Sequence, residues 1–344
     1  MTTINEVARA AGVSSATVSR TLAKPDAVSA KTRAHVLDVI ERLGYAPNAT
    51  AAALRTTRTR KILVTVPDIS NPFFSRVIQG VEEAAQEMGY TVLLGDTRNQ
   101  EEREEQYATM LGRREADGFI FLGHRLPSAL SRLIAREGHR APIVNGCEFS
   151  PSLGVSSAHI DNAAAARAAV DALYDLGHQD VAVITGPLQS PLSRDRLVGA
   201  HGAAEVRGLV ARVQVAHGDF SLESGRRCTH ELLNGPVRPT AIFCFSDEMA
   251  IGALSALRSV GLQCPTDVSI FGFDDIAMAR YVDPPLTTMR QPMRQIGRQT
   301  VKLLVAIIDG TATAIVNVTL PHQLIVRHSV GPIAADRTPS RRRG

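Results

Sequence analysis

The chain has 344 residues, of which 44% are hydrophobic and 21% are charged. This length suits two or three domains, and this composition excludes collagen-like, disulfide-scaffold and wholly disordered chains. No run reaches the roughly 20 apolar residues of a membrane span, and Glu6 lies where a signal peptide would be apolar. We therefore expect a cytoplasmic protein with no membrane partner.

Charge is distributed unevenly along the chain. Residues 1–61 hold ten Lys and Arg against four Asp and Glu, whereas residues 62–335 hold 24 against 29. The segment 336–344 adds four Arg and one Asp. A basic head of this kind indicates a polyanionic partner, although a solvated basic face has the same composition.

The first 44 residues predict three short helices. Apolar residues recur at helical spacing in each, and polar N-cap residues and glycines mark their ends. The expected caps and end glycines are Thr3 with Glu6, Gly12, Ser14, Ser29 and Gly44. The third helix should bury Val36, Val39, Ile40 and Leu43. The tight turn between the first two helices is typical of a helix-turn-helix DNA-binding domain, whereas a generic three-helix bundle shares only the periodicity.

A hinge is expected over residues 48–61. The segment PNATAAALRTTRTRK offers Asn48 as an N-cap and a short helix that ends near Arg55. An isolated helix of this length is marginal in water, because nucleation fixes several dihedral angles for one hydrogen bond. The hinge helix should therefore form only against a partner.

Beyond Lys61, apolar runs of strand length alternate with amphipathic stretches. The runs are KILVTV, TVLLG, GFIFLG, PIVNG, VAVITG, AIFCFS and VSIFGF. They are apolar on both faces, as parallel strands covered by helices require. Their number predicts an α/β core of two similar lobes over residues 62–335, with a ligand cleft at the carboxyl ends of the strands. Residues 336–344 are expected to be a disordered basic tail.

Motifs of known enzyme chemistry are missing from the sequence. It has no GxGxxG after the first strand and no GxxxxGK[ST], HExxH or GxSxG motif, and its four cysteines form no CxxC pair. We expect neither a metal nor a cofactor, and we read the cysteines as reduced, mostly core thiols. Binding is therefore favoured over catalysis, with an enzyme that uses another constellation as the alternative.

Several segments resemble LacI-type bacterial transcription regulators. The head is similar to their DNA-binding headpiece and hinge through TINEVARAAGVSSATVSRTL and VSAKTRAHVLDVIERLGYAPNATAAALR. The body is similar to their effector-binding core, itself like periplasmic sugar-binding proteins, through ISNPFFSRVIQGVEEAA, HIDNAAAA, PTAIFCFSDEMAIGAL, CPTDVSIFGFDDI and DPPLTTMRQP. The segments PDISNPFF, GPLQSPLSRDRL, HGDF and FSDEMAIGALSAL are most similar to the cytidine-repressor type, with the purine-repressor type next.

This resemblance implies an all-α helix-turn-helix headpiece over residues 1–47, a hinge helix and linker over 48–61, and a two-lobed, periplasmic-binding-protein-like core over 62–335. It implies a DNA-binding repressor whose affinity for double-stranded operator DNA is controlled by a small polar effector. A nucleoside such as cytidine is the expected effector, with a pentose or a purine as alternatives. A sugar-binding protein or enzyme of the same fold without DNA binding is the rival function.

The resemblance also implies DNA contacts from the outward side of the second helix. Arg20 can pair with a guanine, and Ala16 or the Thr17 methyl group can touch a thymine methyl group. Thr17 and Ser19 suit phosphate contacts equally well. Leu54 matches the wedge that enters a minor-groove step, with hinge-helix packing as the alternative. The full expected set is Thr3, Ser14, Ser15, Ala16, Thr17, Ser19, Arg20, Asn48, Leu54 and Arg55.

For the effector, Arg196 in SRDRL and Asp274 in GFDD match the family's polar clamps, with a surface salt bridge as the alternative for each. One of two adjacent phenylalanines should stack on the ligand while the other packs in the core. Asp161 equally suits a helix cap. The full expected set is Phe73, Phe74, His124, Asp161, Arg196, Phe220, Ser246, Asp247, Asp274 and Gln291. Cys147 departs from the Asn or Asp usual in relatives at that strand end.

A homodimer is the expected assembly. A tetramerising relative needs a C-terminal helix with a leucine heptad, and the segment VGPIAADRTPSRRRG has no leucine and two prolines. A dimer also suits a palindromic operator with half-sites about 34–36 Å apart.

Overall fold

The computed structural model describes residues 2–45 and 58–333. They divide into two compact units, one ending at Thr59 and the other beginning at Arg60. Within the described ranges no helix has both the length and the apolar character needed to cross a membrane. Most of the expected hinge and the whole basic tail lie outside the described residues.

The headpiece, defined here as residues 2–45, contains three helices. They are α1 (Ile4–Ala10), α2 (Ser15–Ala23) and α3 (Ala30–Arg42). The Thr3 hydroxyl accepts a hydrogen bond from the Glu6 amide, and the Glu6 carboxylate accepts one from the Thr3 amide, which completes a capping box. Ser14 and Ser29 cap α2 and α3, and Gly12 follows α1 in the left-handed region with φ of +63°. The three predicted helices and their caps are confirmed.

The headpiece core is small and apolar. Its buried side chains are Val7, Ala8, Ala11, Val18, Val36 and Val39. The predicted buried face of α3 is confirmed at Val36 and Val39 but is wrong at Leu43, which is 37% exposed. Because α3 ends at Arg42, Leu43 is the C-cap residue and lies beyond the last buried turn.

The first lobe of the core consists of residues 61–160 and 293–320. Its parallel sheet has the strand order β2-β1-β3-β4-β5-β11. The strands are β1 (Lys61–Val66), β2 (Thr91–Asp96), β3 (Gly118–Phe121), β4 (Ile143–Gly146), β5 (Ser156–Ile160) and β11 (Asn317–Leu320). The helices of this lobe are α4 (Pro72–Glu87), α5 (Glu101–Gly112), α6 (Ser128–Glu137) and α11 (Met293–Ile308).

The second lobe consists of residues 162–290 and 323–333. Its sheet has the order β7-β6-β8-β9-β10-β12, parallel except that β12 runs antiparallel to β10. The strands are β6 (Val181–Thr185), β7 (Gln214–His217), β8 (Ala241–Cys244), β9 (Ser269–Asp274), β10 (Thr287–Arg290) and β12 (Gln323–Ile325). The helices are α7 (Asn162–Asp175), α8 (Pro191–Val206), α9 (Leu222–Leu233) and α10 (Asp247–Ser259). The predicted two-lobed parallel α/β core is confirmed.

All seven predicted strands form, but five further strands carry no apolar run. Strand β5 reads SSAHI and is buried throughout, because its polar side chains bond one another and the neighbouring β11. The other four are β7, β10, β11 and β12. The expectation of two apolar faces is wrong for β2, which is an edge strand and is half-exposed along most of its length.

The chain passes between the lobes at three short connections, called the crossovers. They comprise residues 161, 291–292 and 321–322. Any movement of one lobe relative to the other must therefore occur at these connections.

Within each lobe, helices pack with glycine against backbone. A Cβ atom on Gly80 of α4 would overlap the carbonyl oxygen of Arg294 in α11, and one on Gly297 would overlap that of Val77. In the second lobe the same close contact is made by Gly199, Gly225 and Gly252. These contacts fix the helix pairs at short separation, so each lobe is rigid against sliding of its helices.

Candidate functional site

Helix α2 presents the surface expected to meet DNA. The Ser14 hydroxyl accepts a hydrogen bond from the Thr17 amide at 3.1 Å, which fixes where the helix begins. Ser15, Ala16 and Arg20 are exposed on the described headpiece. This geometry suits a recognition helix, whose N-terminal residues must reach base edges.

Several other expected DNA contacts already hold a structural bond or lie outside the described residues. The Thr3 hydroxyl belongs to the capping box of α1, and the Thr17 hydroxyl lies 3.0 Å from that of Ser14. Ser19 is half-buried. The expected contacts Asn48, Leu54 and Arg55 fall outside the described residues.

Side chains at the carboxyl ends of the two sheets meet between the lobes, in a region called the cleft here. Glu148 follows β4 of the first lobe and accepts hydrogen bonds from the Ser190 hydroxyl at 2.9 Å and the Leu192 amide at 3.4 Å, both in the second lobe. Burial raises the pKa of Glu248 on α10, and the charge of Asp68, after β1, raises it further. Polar groups from both lobes therefore meet at this edge, where open α/β sheets bind ligands.

Arg196 of α8 is the buried cation of the cleft. Its Nε donates to the Asn162 side chain at 2.8 Å, its Nη1 donates to the Phe245 carbonyl oxygen, and its guanidinium lies 3.7 Å from the ring centroid of Phe273. Burial lowers the pKa of Arg196 to about 10, against the opposite effect of Asp274. These contacts hold the guanidinium in one orientation. They replace only part of the hydration that its charge loses on burial.

Asp274 ends β9 with an unusual backbone. Its φ is +119°, in the region that favours glycine, and the Gln291 side chain donates to its carboxylate at 2.7 Å. Burial raises the pKa of Asp274 to about 7, although the Arg196 charge and the Gln291 hydrogen bond favour the ionised form. Burial moves the pKa of both Arg196 and Asp274 toward the neutral form. The attraction between their charges is therefore smaller than the free energy of hydration that they lose. A ligand that offers both donors and acceptors would compensate both groups.

Two buried polar residues, Glu148 and Ser193, were missed by the sequence reasoning, which named only Cys147, the neighbour of Glu148, as a departure from relatives. Burial raises the pKa of Glu148 to about 7 and that of the Cys147 thiol well above its ordinary value, and Cys147 has a φ of +72°. Ser193 lies three residues before Arg196, and its buried hydroxyl has no hydrogen-bond partner among the described residues. A polar residue at the carboxyl end of a buried strand, as at Asp274, or just beyond it, was the available signal for Glu148.

The aromatic residues of the expected site divide into core and cleft. Phe73 is buried in the core, whereas Phe74 is half-buried with its ring edge-on to Phe73 at 5.2 Å. Phe220 packs its ring against Gly186. His124 is half-buried; burial lowers its pKa, and Arg194 of the other lobe contributes in the same direction.

Three expected effector contacts have other roles in the structure. Asp247 is fully buried, and its two carboxylate oxygens accept hydrogen bonds from the Thr288 hydroxyl and the Ile276 amide. Asp247 was expected to contact the ligand. In the structure its carboxylate instead links α10 to β10 and to the loop after β9. Ser246 caps α10, and Asp161 caps α7 through the Ala164 amide at 2.8 Å. For Asp161 the structure shows the helix-cap alternative.

Comparison with known families finds a match at each end of the chain. Residues 3–48 match the family described as bacterial regulatory proteins, lacI family. Residues 170–330 match the family described as periplasmic binding protein-like domain.

Individual proteins are similar over almost the whole chain. The HTH-type transcriptional repressor CytR of Escherichia coli (strain K12) is 41% identical over 95% of this chain and 96% of its own length. The HTH-type transcriptional repressor PurR of Vibrio campbellii is 35% identical over 88% of this chain and 91% of its own length. The crystal structure of the lac repressor dimer bound to operator and the anti-inducer ONPF superposes with a TM-score of 0.85, at 30% identity over 96% of this chain and 99% of that one. The chain therefore belongs to the LacI family of helix-turn-helix, DNA-binding transcription regulators, which are not enzymes.

Proposed function

We propose that this protein is a repressor whose affinity for operator DNA is controlled by a small polar effector bound between the two lobes. The observation that carries the proposal is the pair Arg196 and Asp274, two oppositely charged side chains buried at the carboxyl ends of the strands, where burial moves the pKa of each toward its neutral form. Hydroxyl groups of a ligand would donate to Asp274 and accept from Arg196. The buried carboxyl group of Glu148, between the lobes, is a third polar group that could bind the ligand.

A nucleoside is the effector class that we propose. Ribose hydroxyls suit the two carboxyl groups and the guanidinium, and the half-buried ring of Phe74 lies at the start of α4, where it can meet the face of a base. Resemblance of four segments to the cytidine-repressor type favours cytidine. A pentose would use the polar groups without the ring, and a purine would use the ring with fewer hydroxyls.

The headpiece is proposed to read the operator through α2. Arg20 is exposed and can contact a guanine, and Leu54 is proposed as the minor-groove wedge on the basis of family resemblance alone. Similarity to the lac repressor dimer on its operator supports a homodimer of this chain, with one headpiece on each half-site. The domain bounds proposed for the chain are residues 1–47 for the headpiece, of which the structure describes 2–45, 48–61 for the hinge, 62–335 for the core and 336–344 for the tail.

Calorimetry on the full-length protein with cytidine, adenosine, ribose and hypoxanthine tests the effector. We expect cytidine to bind most tightly and to change the affinity for a palindromic DNA selected from a random pool. Binding to that DNA should weaken as salt rises, because neutralised phosphates release counterions. Tighter binding of ribose than of cytidine would make the pentose the effector class, and DNA affinity unaffected by any of the four compounds would contradict effector control.

Two further measurements test the DNA wedge and the assembly. Leu54→Ala should weaken binding to the selected DNA and reduce its bending while cytidine affinity stays unchanged. Sedimentation at low micromolar concentration should show a dimer. Unchanged DNA affinity and bending in the variant, or a stable tetramer, would contradict the corresponding part of the proposal.

A further inference from the structure

Asp275, the neighbour of Asp274, carries a buried carboxylate that the proposed effector contacts do not use. Its side chain is 2% exposed. One oxygen accepts from Arg290 Nε at 2.7 Å, and the other accepts from Arg327 Nη2 at 2.5 Å. Arg280 lies farther away, at 3.9 Å. Asp275 therefore holds two arginines from separate parts of the chain.

Arg290 lies beside a crossover, and Arg327 lies beyond the strand that follows another. Arg290 is the last residue of β10, directly before the crossover at 291–292. It pairs with Gln323, the first residue of β12, and its Nη1 donates to the Gln323 side chain at 3.2 Å, directly after the crossover at 321–322. Arg327 lies two residues beyond β12 and also donates to the Leu286 carbonyl oxygen. One carboxylate thus ties the loop after β9 to two of the three connections between the lobes.

The same loop carries Asp274 in a conformation that needs support. The φ of Asp274 is +119°, which residues other than glycine adopt only where their surroundings impose it, whereas the φ of Asp275 is +60°, in the left-handed region that Asp tolerates. Gln291 lies within the second crossover, and its backbone N–H donates to the backbone carbonyl oxygen of Asp274 at 3.2 Å. The position of the Asp274 carboxylate is therefore set jointly by Asp275 and by the crossover.

We infer that Asp275 is a positioning residue that holds Asp274 for the effector and joins it to the second and third crossovers, so that effector contact and lobe closure are coupled through one carboxylate. This inference rests on the proposed role of Asp274 in effector binding. The competing explanation is a buried ion pair that stabilises the second lobe and has no influence on Asp274.

A double-mutant cycle separates these explanations, with cytidine and ribose as probes on the full-length protein. Asp275→Asn keeps the shape of the side chain and removes its charge. We expect cytidine to bind about ten-fold more weakly, the equivalent of one charge-assisted hydrogen bond at Asp274. If Asp275 acts through Asp274, the double variant Asp274→Ala/Asp275→Asn should bind no more weakly than Asp274→Ala alone.

A matched control is available in the same lobe. Asp180 also accepts two hydrogen bonds from an arginine, Arg212, at 2.8 and 2.6 Å. Asp180→Asn likewise removes a carboxylate charge that two arginine hydrogen bonds hold, but at a partly exposed site outside the crossovers, and it should leave cytidine affinity unchanged. If Asp275→Asn fails to fold, Arg290→Lys and Arg327→Lys remove the two-oxygen geometry one partner at a time and should each weaken cytidine binding.

Solution scattering gives a second reading that a purely structural ion pair would not change. Saturating cytidine should reduce the radius of gyration of the wild type and of Asp180→Asn, and should reduce it less in Asp275→Asn. Wild-type cytidine affinity in Asp275→Asn, or a loss that adds in full to that of Asp274→Ala, would overturn the inference and leave the proposed effector site intact. Wild-type affinity in Asp274→Ala, or no binding of either probe to the wild type, would overturn both.

Discussion

The headpiece and the core hold their polar groups by different means. In the headpiece most side-chain hydrogen bonds join residues three or four positions apart, as in the caps formed by Thr3, Ser14 and Ser29. In the core the functional groups are held by distant partners: Arg196 by Asn162, 34 positions away, and Glu148 by Ser190, 42 positions away. The first kind of order is encoded locally, whereas the second exists only after the lobes have formed.

The largest test of this contrast is removal of residues 1–60. The remaining chain, beginning at Lys61, should lose all measurable affinity for the selected DNA and should bind cytidine as the full chain does, because the core has its own buried cluster. Fluorescence anisotropy and calorimetry measure the two affinities. Loss of cytidine binding in the shortened chain would show that the core depends on the headpiece, and it would contradict the independence of the two regions.

Next in size is the effect of Arg196→Ala on effector binding. Loss of a buried, charge-assisted hydrogen-bond donor costs roughly 1.5–3 kcal/mol, so cytidine should bind roughly ten- to hundred-fold more weakly. Affinity for DNA without effector should stay the same, and Arg212→Ala, which removes a partly exposed arginine of the same lobe, is the control. Wild-type cytidine and ribose affinity in Arg196→Ala would place the effector elsewhere.

The dependence of effector binding on pH sharpens the contrast further. Ligand hydroxyls donate to ionised carboxylates, so the pKa of about 7 at Asp274 and Glu148 requires proton release on binding at lower pH. Cytidine affinity should fall about ten-fold per pH unit below pH 7 for each of these carboxyl groups that it contacts, and level off above. Calorimetry in buffers of different ionisation enthalpy measures the released protons. A flat profile, or the wild-type slope in Asp274→Asn, would contradict the role of Asp274.

For the ligand-free core the same pKa values act on stability in the opposite direction. A carboxyl group whose pKa is raised by folding stabilises the folded state fully below its ordinary pKa, and this contribution disappears as pH rises through about 7. The core without effector should therefore lose stability between about pH 4 and pH 7 from these two groups and level off above pH 7. Thermal melts with and without cytidine would show the effector offsetting that loss at the higher pH.

The smallest expected effect concerns a matched pair of caps. Ser14 in the headpiece and Ser221 in the core each accept a hydrogen bond from an amide three residues on, both at 3.1 Å. Replacing either by alanine should cost about 1 kcal/mol. In the small headpiece this is a larger share of the total stability, so hydrogen exchange in α2 should accelerate more for Ser14→Ala than exchange in α9 does for Ser221→Ala. Equal acceleration would show that the two regions are equally robust.

The same contrast explains what could be predicted from the sequence. Caps, end glycines and apolar runs act over a few residues, so the three headpiece helices and seven strands follow from local patterns. Strand β5 was missed because Ser157 and His159 bond each other and β11, which lies more than 150 positions away. Its burial is a property of the assembled sheet.

The effector cleft was predictable only in part, and for a similar reason. Resemblance to the family supplied Arg196 and Asp274; the structure buries both, Asp274 at the end of β9 and Arg196 against the Phe245 carbonyl oxygen just after β8, and their contact with an effector stays a prediction. Glu148 gave no local signal beyond its position after a strand, because its partners come from the other lobe. Asp247 was misassigned because the first turn of a helix at a strand end has the same sequence pattern whether its carboxylate faces a ligand or, as here, Thr288 of a neighbouring strand.

The glycine contacts between paired helices limit how this sequence can drift. At Gly80 and Gly297 the space for a side chain is filled by carbonyl oxygens of the facing helix, so a larger residue would force α4 and α11 apart and disrupt their packing. Even alanine is too large there, whereas Gly12 and Gly44 face open space and need only tolerate a left-handed angle, which asparagine also adopts. We therefore expect relatives of this chain to accept asparagine in place of Gly12 and Gly44 but to retain Gly80 and Gly297.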